Sequence, residues 1–209
     1  REAIQRELTL TLSLSENLKA FKLFSGPSSD IIIRKLKVGH KQVECAVIHI
    51  DTLSKSEMVE NLIGTLSVDP FQTPIGETGS GKIFQEFKDR LLKSSGVKTV
   101  ETITDIWEQL VTGSTAIIFD GTPKALVCDT QAVIGRAIEE PATETVIRGA
   151  REGFVENIQT NIALVRKRLR TPNLWSEEFV LGHLTGTHVS LMYIKGLASE
   201  ELVLEVRRR

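Results

Sequence analysis

Short runs of alternating or β-branched hydrophobic residues recur along the chain, a pattern typical of strands. Two pairs of runs are separated by turn residues, Gly39-His40 in the first pair and Asp120-Gly121 in the second, so each pair predicts an antiparallel hairpin. Leucines that alternate with threonine and serine also suit a strand at the start of the chain. The predicted strands cover residues 1–14, 30–37, 42–51, 115–120, 124–129, 178–181 and 187–195.

Apolar positions three or four residues apart predict helices between the strands. The first is a short helix that ends at Gly26-Pro27. Another is expected to begin with Ser54 as its cap and Glu57 in the capping-box position. The predicted helices cover residues 15–25, 54–66, 84–95, 100–111, 154–170 and 199–208.

The order of elements repeats weakly when the chain is shifted by 144 positions. Residues 47–59 (VIHIDTLSKSEMV) then lie over residues 191–203 (LMYIKGLASEELV) with four identities. Each half shows a helix, a proline break, a strand, a turn, a strand and a capped helix. We therefore predict an α/β protein of two small α/β subdomains of related topology, each a mixed sheet packed with helices. The first is residues 1–95, with a flexible Gly/Pro-rich loop at 67–83, and the second is residues 96–209.

The helix that begins near Phe154 carries the most informative pattern. Its narrow apolar face, which we predict to be core, consists of Phe154, Ile158, Ile162, Val165 and Leu169. Asn157, Asn161 and Arg168 line up beside that face. Because buried amides need hydrogen-bond partners, these residues either tie the helix to a neighbouring loop or line a small polar site.

The segment before this helix supplies further hydrogen-bond donors that favour the interpretation as a small polar site. Gly149 and Gly153 permit close approach of other backbone, and Arg148 and Arg151 offer fork-shaped donors for a carboxylate. Glu144 and the neighbouring acids are interpreted as structural ion pairs or a cap, because basic side chains lie at helical spacing from them.

Residues 136–170, RAIEEPATETVIRGAREGFVENIQTNIALVRKRLR, resemble the signature of the GerA-type spore germination proteins, the A subunits of nutrient germinant receptors. The similarity extends to Ser29-Asp30 and to the C-terminal GLASEELVLEVRRR; Ala150 stands where the family usually has proline. The resemblance implies a soluble N-terminal domain, followed by a membrane region, at the spore inner membrane. It also implies amino acid or sugar germinants and B-type and C-type partner subunits.

Composition narrows the classes of function. With 26 basic and 27 acidic residues, the formal net charge of −1 gives no reason to expect a nucleic-acid partner. Cys45 and Cys128 are predicted to be buried free thiols. No apolar run approaches the roughly 20 residues that span a bilayer, so we expect an excised soluble domain. The basic tail at 207–209 is suited to anionic lipid.

Residues 76–82 (GETGSGK) match the glycine and lysine positions of a P-loop. A P-loop also needs a preceding strand and a Ser or Thr after the lysine, and here Ile83 takes that position. The segment is therefore interpreted as a solvent-exposed connector.

We predict a protein that is not an enzyme, has no cofactor or metal, and senses or relays a nutrient signal. The four histidines lack zinc-site spacing, and no G-x-S-x-G elbow occurs. The alternative is a structural assembly module that docks partner subunits or a membrane surface; a homo-oligomer is compatible with both. The predicted ligand or partner contacts are Glu144, Arg148, Arg151, Asn157, Asn161 and Arg168.

Overall fold

The computed structural model describes residues 8–39, 42–67, 80–92, 96–132 and 153–209. Within these ranges, helices and strands follow the turn and periodicity signals of the sequence. They are α1 (Leu14–Ser25), β1 (Ile31–Val38), β2 (Val43–Ile50), α2 (Ser56–Ser67), α3 (Ser80–Leu92), β3 (Val97–Val100), α4 (Ile103–Leu110), β4 (Thr115–Phe119), β5 (Ala125–Cys128), α5 (Ile158–Arg168), β6 (Leu174–Leu181), β7 (Thr187–Ile194) and α6 (Glu200–Arg208).

The strands form two sheets, and the α/β class is confirmed. Five strands make the larger sheet in the order β1-β2-β4-β5-β3, while β6 and β7 make a two-stranded sheet. Every pair of neighbouring strands is antiparallel, so neither sheet is mixed. Tight hairpin turns account for three of these pairs, because short connections permit only antiparallel pairing.

The larger sheet carries a hydrophobic core on each face. On one face, α1 and α4 pack against residues such as Ile48 and Ile118. On the other face, α3 and α2 pack against residues such as Val47 and Phe119, and the Phe119 ring stacks on Phe87 with centroids 5.7 Å apart. Because β4 and β5 are buried on both faces, they form the centre of the protein.

The predicted boundary between residues 95 and 96 falls within this larger sheet. Strands β1 and β2 precede the boundary, and β3, β4 and β5 follow it. Long-range pairs such as Cys45 with Phe119 join the two sides. The sheets instead separate residues 31–128 from residues 174–194. Most of the predicted loop at 67–83 lies outside the described residues, but α3 begins inside it, at Ser80.

The 144-residue repeat corresponds to a repeated β-β-α arrangement. We call α1-β1-β2-α2 (residues 14–67) the first unit and α5-β6-β7-α6 (residues 158–208) the second unit. A shift of 144 carries the starts of α1, β2 and α2 onto the starts of α5, β7 and α6, and β6 begins one residue early. The turn after the second strand is also shared: Leu53 N donates to Ile50 O at 3.0 Å, and Leu197 N donates to Ile194 O at 3.1 Å.

Three local predictions are wrong. Residues 97–100 form β3 rather than the start of a helix, and α4 begins after its cap Thr102. The Ser54 hydroxyl does not cap α2. It donates instead to Gly113 O at 3.2 Å, because Ser54 lies against the segment between α4 and β4. Half of the predicted N-terminal strand, residues 1–7, lies outside the described residues; in the remainder Thr9 makes one bridge to Thr102, and the chain enters α1 at Leu14.

Candidate functional site

The two units meet where the loop before β1 lies against the start of β6. The backbone N–H and the hydroxyl of Ser29 donate to Ser176 O at 2.8 and 2.9 Å. In the opposite direction, Ser176 N donates to the Ser28 hydroxyl at 2.8 Å. One of these bonds joins backbone to backbone and the other two use serine hydroxyls, so the loop is held directly against the start of β6.

A buried arginine from α5 lies under this contact. The Arg166 side chain is fully buried, and its partner Asp30 is only 3% exposed. Arg166 Nε donates to Asp30 Oδ2 at 2.7 Å and Nη2 donates to Asp30 Oδ1 at 2.8 Å, so the ion pair is bidentate. Nη1 donates to Leu174 O at 2.7 Å and Nη2 to the Ser28 hydroxyl at 2.7 Å. One guanidinium therefore holds both units.

Two tryptophan side chains pack beside the junction. The Arg166 guanidinium lies 5.9 Å from the centre of the Trp107 ring, a cation–π contact. The Trp107 indole N–H donates to Arg170 O at 2.9 Å. On the other side, Trp175 packs so closely on Gly26 that a Cβ there would lie 2.0 Å from the indole nitrogen. Gly26 also has φ +70°, so the position requires glycine on both counts.

The energetics of this pair make the junction selective for one geometry. Removing two charges from water costs several kcal/mol per ion, and only close, well-oriented hydrogen bonds offset that cost. A small relative displacement of the units lengthens the bonds from Arg166 to Asp30 without rehydrating either charge. The arrangement is suited to couple the positions of two structural units.

Sequence reasoning missed Arg166 as a site residue, although it belongs to the GerA-like run. It lies four residues after Ile162 and three after Ala163, and both are buried on the same side of α5. A charged residue within a buried helical face requires a partner. That placement was the available signal. The sequence is equally consistent with Arg166 belonging to the basic cluster in the last turn of α5.

The predicted core face of α5 is partly wrong. Ile162 is 2% exposed, but Phe154 is 74% exposed and Leu169 is 41% exposed. The helix begins only at Ile158, so Phe154 lies ahead of it, and Leu169 follows its last residue. The buried face is instead made of Ile162, Ala163, Leu164 and Arg166.

The two asparagines on the predicted flank make local hydrogen bonds. Asn157 caps α5, and its side chain accepts from Thr160 N at 3.1 Å. Asn161 Oδ1 accepts from Val155 N at 2.8 Å, and its amide nitrogen donates to Val155 O at 2.7 Å. This is the geometry of a helix tied to the segment before it, and it occupies both ends of the Asn161 amide.

Arg168 is exposed on α5 and lines a groove of about 340 Å³. Phe154, Leu164, Val165 and Leu169 complete the lining of the groove. Of the remaining predicted contacts, Glu144, Arg148 and Arg151 lie outside the described residues. The structure thus brings Arg168 beside an apolar groove, while Asn157 and Asn161 serve the start of the helix.

The basic C-terminal end is paired with carboxylates. Arg207 Nε donates to Glu177 Oε2 at 2.7 Å, and the Tyr193 hydroxyl donates to Glu177 Oε1 at 2.6 Å. The hydrogen bond from Arg207 lowers the pKa of Glu177, whereas burial and the Glu177 contact raise the pKa of Tyr193. Arg208 and Arg209 both pair with Glu205, at 2.8 and 2.7 Å.

The remaining residues considered for chemistry, in the P-loop-like segment and at the two cysteines, have structural roles within the described ranges. Ile83, at the position where a P-loop needs a hydroxyl, is 1% exposed and belongs to the face of α3 that packs in the core. Cys45 and Cys128 are buried free thiols, and burial raises the pKa of each to about 12. Across the described ranges, no cluster of three or more His, Cys, Asp or Glu residues has metal-binding geometry. The helices of those ranges are also too short or too polar to cross a bilayer.

Comparison with known proteins places the chain in a family. The sequence model for the family described as Bacillus/Clostridium GerA spore germination protein matches residues 19–209. Spore germination protein KA of Bacillus subtilis is 36% identical over 207 residues, which are 98% of this chain and 37% of that protein. Spore germination protein GerLA of Bacillus cereus is 29% identical over 203 residues, 97% of this chain and 40% of that protein. The chain thus spans about two fifths of these relatives.

A solved structure has the same fold. It is the crystal structure of the N-terminal domain of the A subunit of the Bacillus megaterium spore germinant receptor GerK3. The two match with a TM-score of 0.76 and 28% identity, over 98% of this chain and 73% of that one. With a family match over nearly its whole length, the chain belongs to the GerA family of spore germination proteins.

Proposed function

We propose that this chain is a non-catalytic domain of a germinant receptor A subunit, which helps to sense or relay the nutrient signal that triggers spore germination. Family membership supports the receptor context. The observation that carries the relay role is the buried Arg166–Asp30 pair, which couples the second unit to the first.

The relay would operate through the relative position of the two units. A ligand or partner that favours one arrangement shifts the population toward it by its difference in affinity. Intermediate displacements are disfavoured because they leave the charges of Arg166 and Asp30 buried with lengthened hydrogen bonds. A junction of this kind has few stable geometries, which suits a switch between receptor states.

The remaining features of the proposal come from the family. The signal is an amino acid or sugar germinant, the partners are B-type and C-type receptor subunits, and the full protein acts at the spore inner membrane. Contacts with germinant or partner are assigned to the α5 region and the segment before it, with Arg168 beside its groove as the described member. The residues proposed to make them are Glu144, Arg148, Arg151, Asn157, Asn161 and Arg168.

The test compares two identical substitutions in the full-length subunit, in spores. Arg166→Lys removes the bidentate geometry of a buried pair, whereas Arg34→Lys alters an exposed pair in which Arg34 lies 2.6 Å from Glu60. We expect Arg166→Lys to slow nutrient-triggered germination at least about tenfold, since a 1.4 kcal/mol change in a switching equilibrium is tenfold. Arg34→Lys should leave the rate unchanged.

Subunit abundance, measured by immunoblot, separates a signalling defect from a folding defect. Ser28→Ala is the milder second variant, because it removes one hydrogen bond to Arg166 and keeps the ion pair. Normal abundance with wild-type germination rates in both variants would contradict the relay. A direct germinant contact is tested by NMR titration of the isolated chain, and unchanged Asn161 and Arg168 signals at saturating amino acid or sugar would count against it.

One further variant, Arg168→Glu, distinguishes relay from a purely structural assembly role. An assembly module predicts that Arg168→Glu reduces co-purification of the other receptor subunits, and that germinants leave thermal stability unchanged. The relay predicts intact co-purification in Arg166→Lys spores that respond poorly to nutrient.

A further inference from the structure

We propose that a cleft at one end of the larger sheet binds a small organic anion through its carboxylate or phosphate group. The cleft has a volume of about 710 Å³ and lies between α3, the end of β3, the start of α4 and the turn that joins β4 to β5. None of its lining residues belongs to the groove beside α5. The proposal therefore concerns a separate site and does not depend on the relay role.

Two threonine hydroxyls in the walls of the cleft have no hydrogen-bond partner. Thr122, in the turn between β4 and β5, is 6% exposed, and Thr99 of β3 is half-buried. The Oγ1 atom of each is buried, and neither atom has a partner within the described ranges. An unpaired buried hydroxyl costs stability, and few are kept in folded proteins. Rotation about the Cα–Cβ bond exchanges a threonine hydroxyl with its methyl group, so a bound molecule can recruit it.

Lys88 supplies a positive charge to the same cleft. It lies three residues after Gln85 and seven after Gly81, so the three residues share one face of α3, and all three line the cleft. Lys88 is half-buried, and in the part of the chain that the structure describes no carboxylate pairs with it. An ammonium group that is partly removed from water without a counter-ion attracts an anion.

The start of α3 adds to this positive potential. The helix has 13 residues, and its first turn contains no acidic residue. The first N–H groups of a helix lack partners within the helix and favour a negatively charged ligand. Gly81 lies in this turn, and a Cβ added there would meet no atom within 4 Å. A ligand can therefore approach the backbone at the start of α3.

The acidic residues of the cleft are already accounted for. Glu101 Oε1 lies 2.7 Å from Lys124 Nζ, so these two charges neutralise each other. Asp105 is exposed in the first turn of α4, where a carboxylate interacts favourably with the positive end of that helix. The groups that remain are an ammonium and two hydroxyls, which together suit an oxyanion.

The size and lining of the cleft indicate an organic molecule rather than an inorganic ion. A volume of about 710 Å³ lies within the range of roughly 300–1,000 Å³ that is usual for small-molecule sites. Phe84, which is 6% exposed, and the half-buried Val100 contribute apolar surface beside the polar groups. We therefore assign the polar groups to the carboxylate or phosphate and the apolar surface to the carbon skeleton.

The first experiment measures thermal unfolding of the purified chain in sodium phosphate, sodium acetate and sodium chloride at equal ionic strength. A ligand that binds only the folded state stabilises it, so phosphate or acetate should raise the melting temperature by at least about 2 °C relative to chloride. A rise with phosphate alone would identify a phosphate ester as the ligand class, and a rise with acetate alone would identify a carboxylate. Equal melting temperatures in the three salts would overturn the proposal.

Two lysine variants locate the binding site. Lys88→Gln should abolish the rise, whereas Lys82→Gln, the matched substitution on α3 outside the cleft lining, should retain it. A rise that persists in Lys88→Gln would be a general effect of the salt on the protein surface. Loss of the rise in Lys82→Gln alone would assign the anion to the glycine-rich segment at 76–82. Either result overturns the proposal.

Thr122→Val separates a ligand contact from a structural role, because it removes the hydroxyl and keeps the branched shape. Without an anion, its melting temperature should equal or exceed that of the wild type, since an unpaired buried hydroxyl is lost. Its Kd for the active anion, measured by calorimetry, should rise about tenfold, the effect of losing one hydrogen bond to a charged group. Thr99→Val is the second variant, and unchanged affinity in both variants would overturn the proposal.

Discussion

The first and second units have the same order of elements and nearly the same local geometry, yet their residues are buried very differently. Strand β2 lies inside a five-stranded sheet with helices on both faces, whereas β7 is one strand of a two-stranded sheet. Both units keep the asparagine that ties the first helix to the preceding segment, Asn17 and Asn161. Local sequence therefore sets the turns and caps, and the elements packed around a unit set its core.

The largest difference between equivalent positions is expected at Arg166 and its counterpart Lys22. Arg166→Met leaves Asp30 buried without its ion-pair partner and should cost about 3–5 kcal/mol of unfolding free energy. Lys22 is exposed, so Lys22→Met should change stability by no more than about 0.5 kcal/mol. Urea unfolding measures both values.

The double variant Arg166→Met/Asp30→Leu is the control for this interpretation. Because it removes both charges, it should recover much of the lost stability. A double variant as unstable as Arg166→Met alone would mean that packing, and not the unpaired charge, dominates.

The second prediction uses one substitution at two equivalent leucines. Leu53 is 2% exposed, so Leu53→Ala should cost about 2–5 kcal/mol through lost burial and a cavity. Leu197 is 80% exposed, so Leu197→Ala in this chain should cost less than about 0.5 kcal/mol. Calorimetry of both variants tests the comparison. Comparable losses at both positions would show that the burial of the two units differs less than described.

The helix ties should show a smaller difference. The Asn17 amide accepts from Thr11 N and donates to Thr11 O, both at 2.8 Å, and Asn161 makes the same pair of bonds with Val155. Asn17 is 2% exposed and Asn161 is half-buried. Asn17→Ala should therefore cost about 1–3 kcal/mol and Asn161→Ala about 1 kcal/mol.

Thermal unfolding measures these losses, and Asn61→Ala, at an exposed position on α2, serves as the neutral control. A greater loss at Asn161 than at Asn17 would indicate that the second unit contributes more stability than its exposure suggests.

Helices and strands were predicted correctly where their sequence signals act over only a few neighbouring positions. The bounds of β2 and α6 were predicted within one residue, because strand alternation, turn glycines and a serine cap act over a few positions. The short strand β3 was missed because its pairing with β5 is what defines it. Phe154 was predicted as core because helical periodicity cannot report which elements lie opposite a face.

The candidate site was less predictable than the fold. Asn161 was identified, with the tie to a neighbouring segment as one of its two stated roles. Arg166 was not singled out, since its role depends on Asp30, which lies 136 residues away in the chain. No periodicity or spacing rule relates two positions so distant.

Acid sensitivity is expected in the first unit. His49 lies in β2, is 4% exposed, and neither ring nitrogen has a hydrogen-bond partner among the described residues. Burial lowers its pKa below the ordinary value of 6.5, partly opposed by Asp51. Above pH 6.5 both folded and unfolded states are neutral. Below it the unfolded state binds a proton that the folded state excludes, so stability should fall by up to about 1.4 kcal/mol per pH unit.

The measurement is the unfolding free energy between pH 7 and pH 5. His49→Gln should flatten the slope just below pH 6.5, whereas His188→Gln should not, because His188 is exposed on β7. An unchanged slope in His49→Gln would assign the acid sensitivity to carboxylates instead.

The distance along the chain between Asp30 and Arg166 has a consequence for biosynthesis. During translation, the aspartate emerges 136 residues before the arginine that neutralises it. At roughly 5–20 residues per second, the ribosome takes roughly 7–27 s to supply that arginine. Until then Asp30 must stay hydrated, and the loop before β1 cannot pack against β6. The first unit therefore reaches its final structure only after α5 has been synthesised.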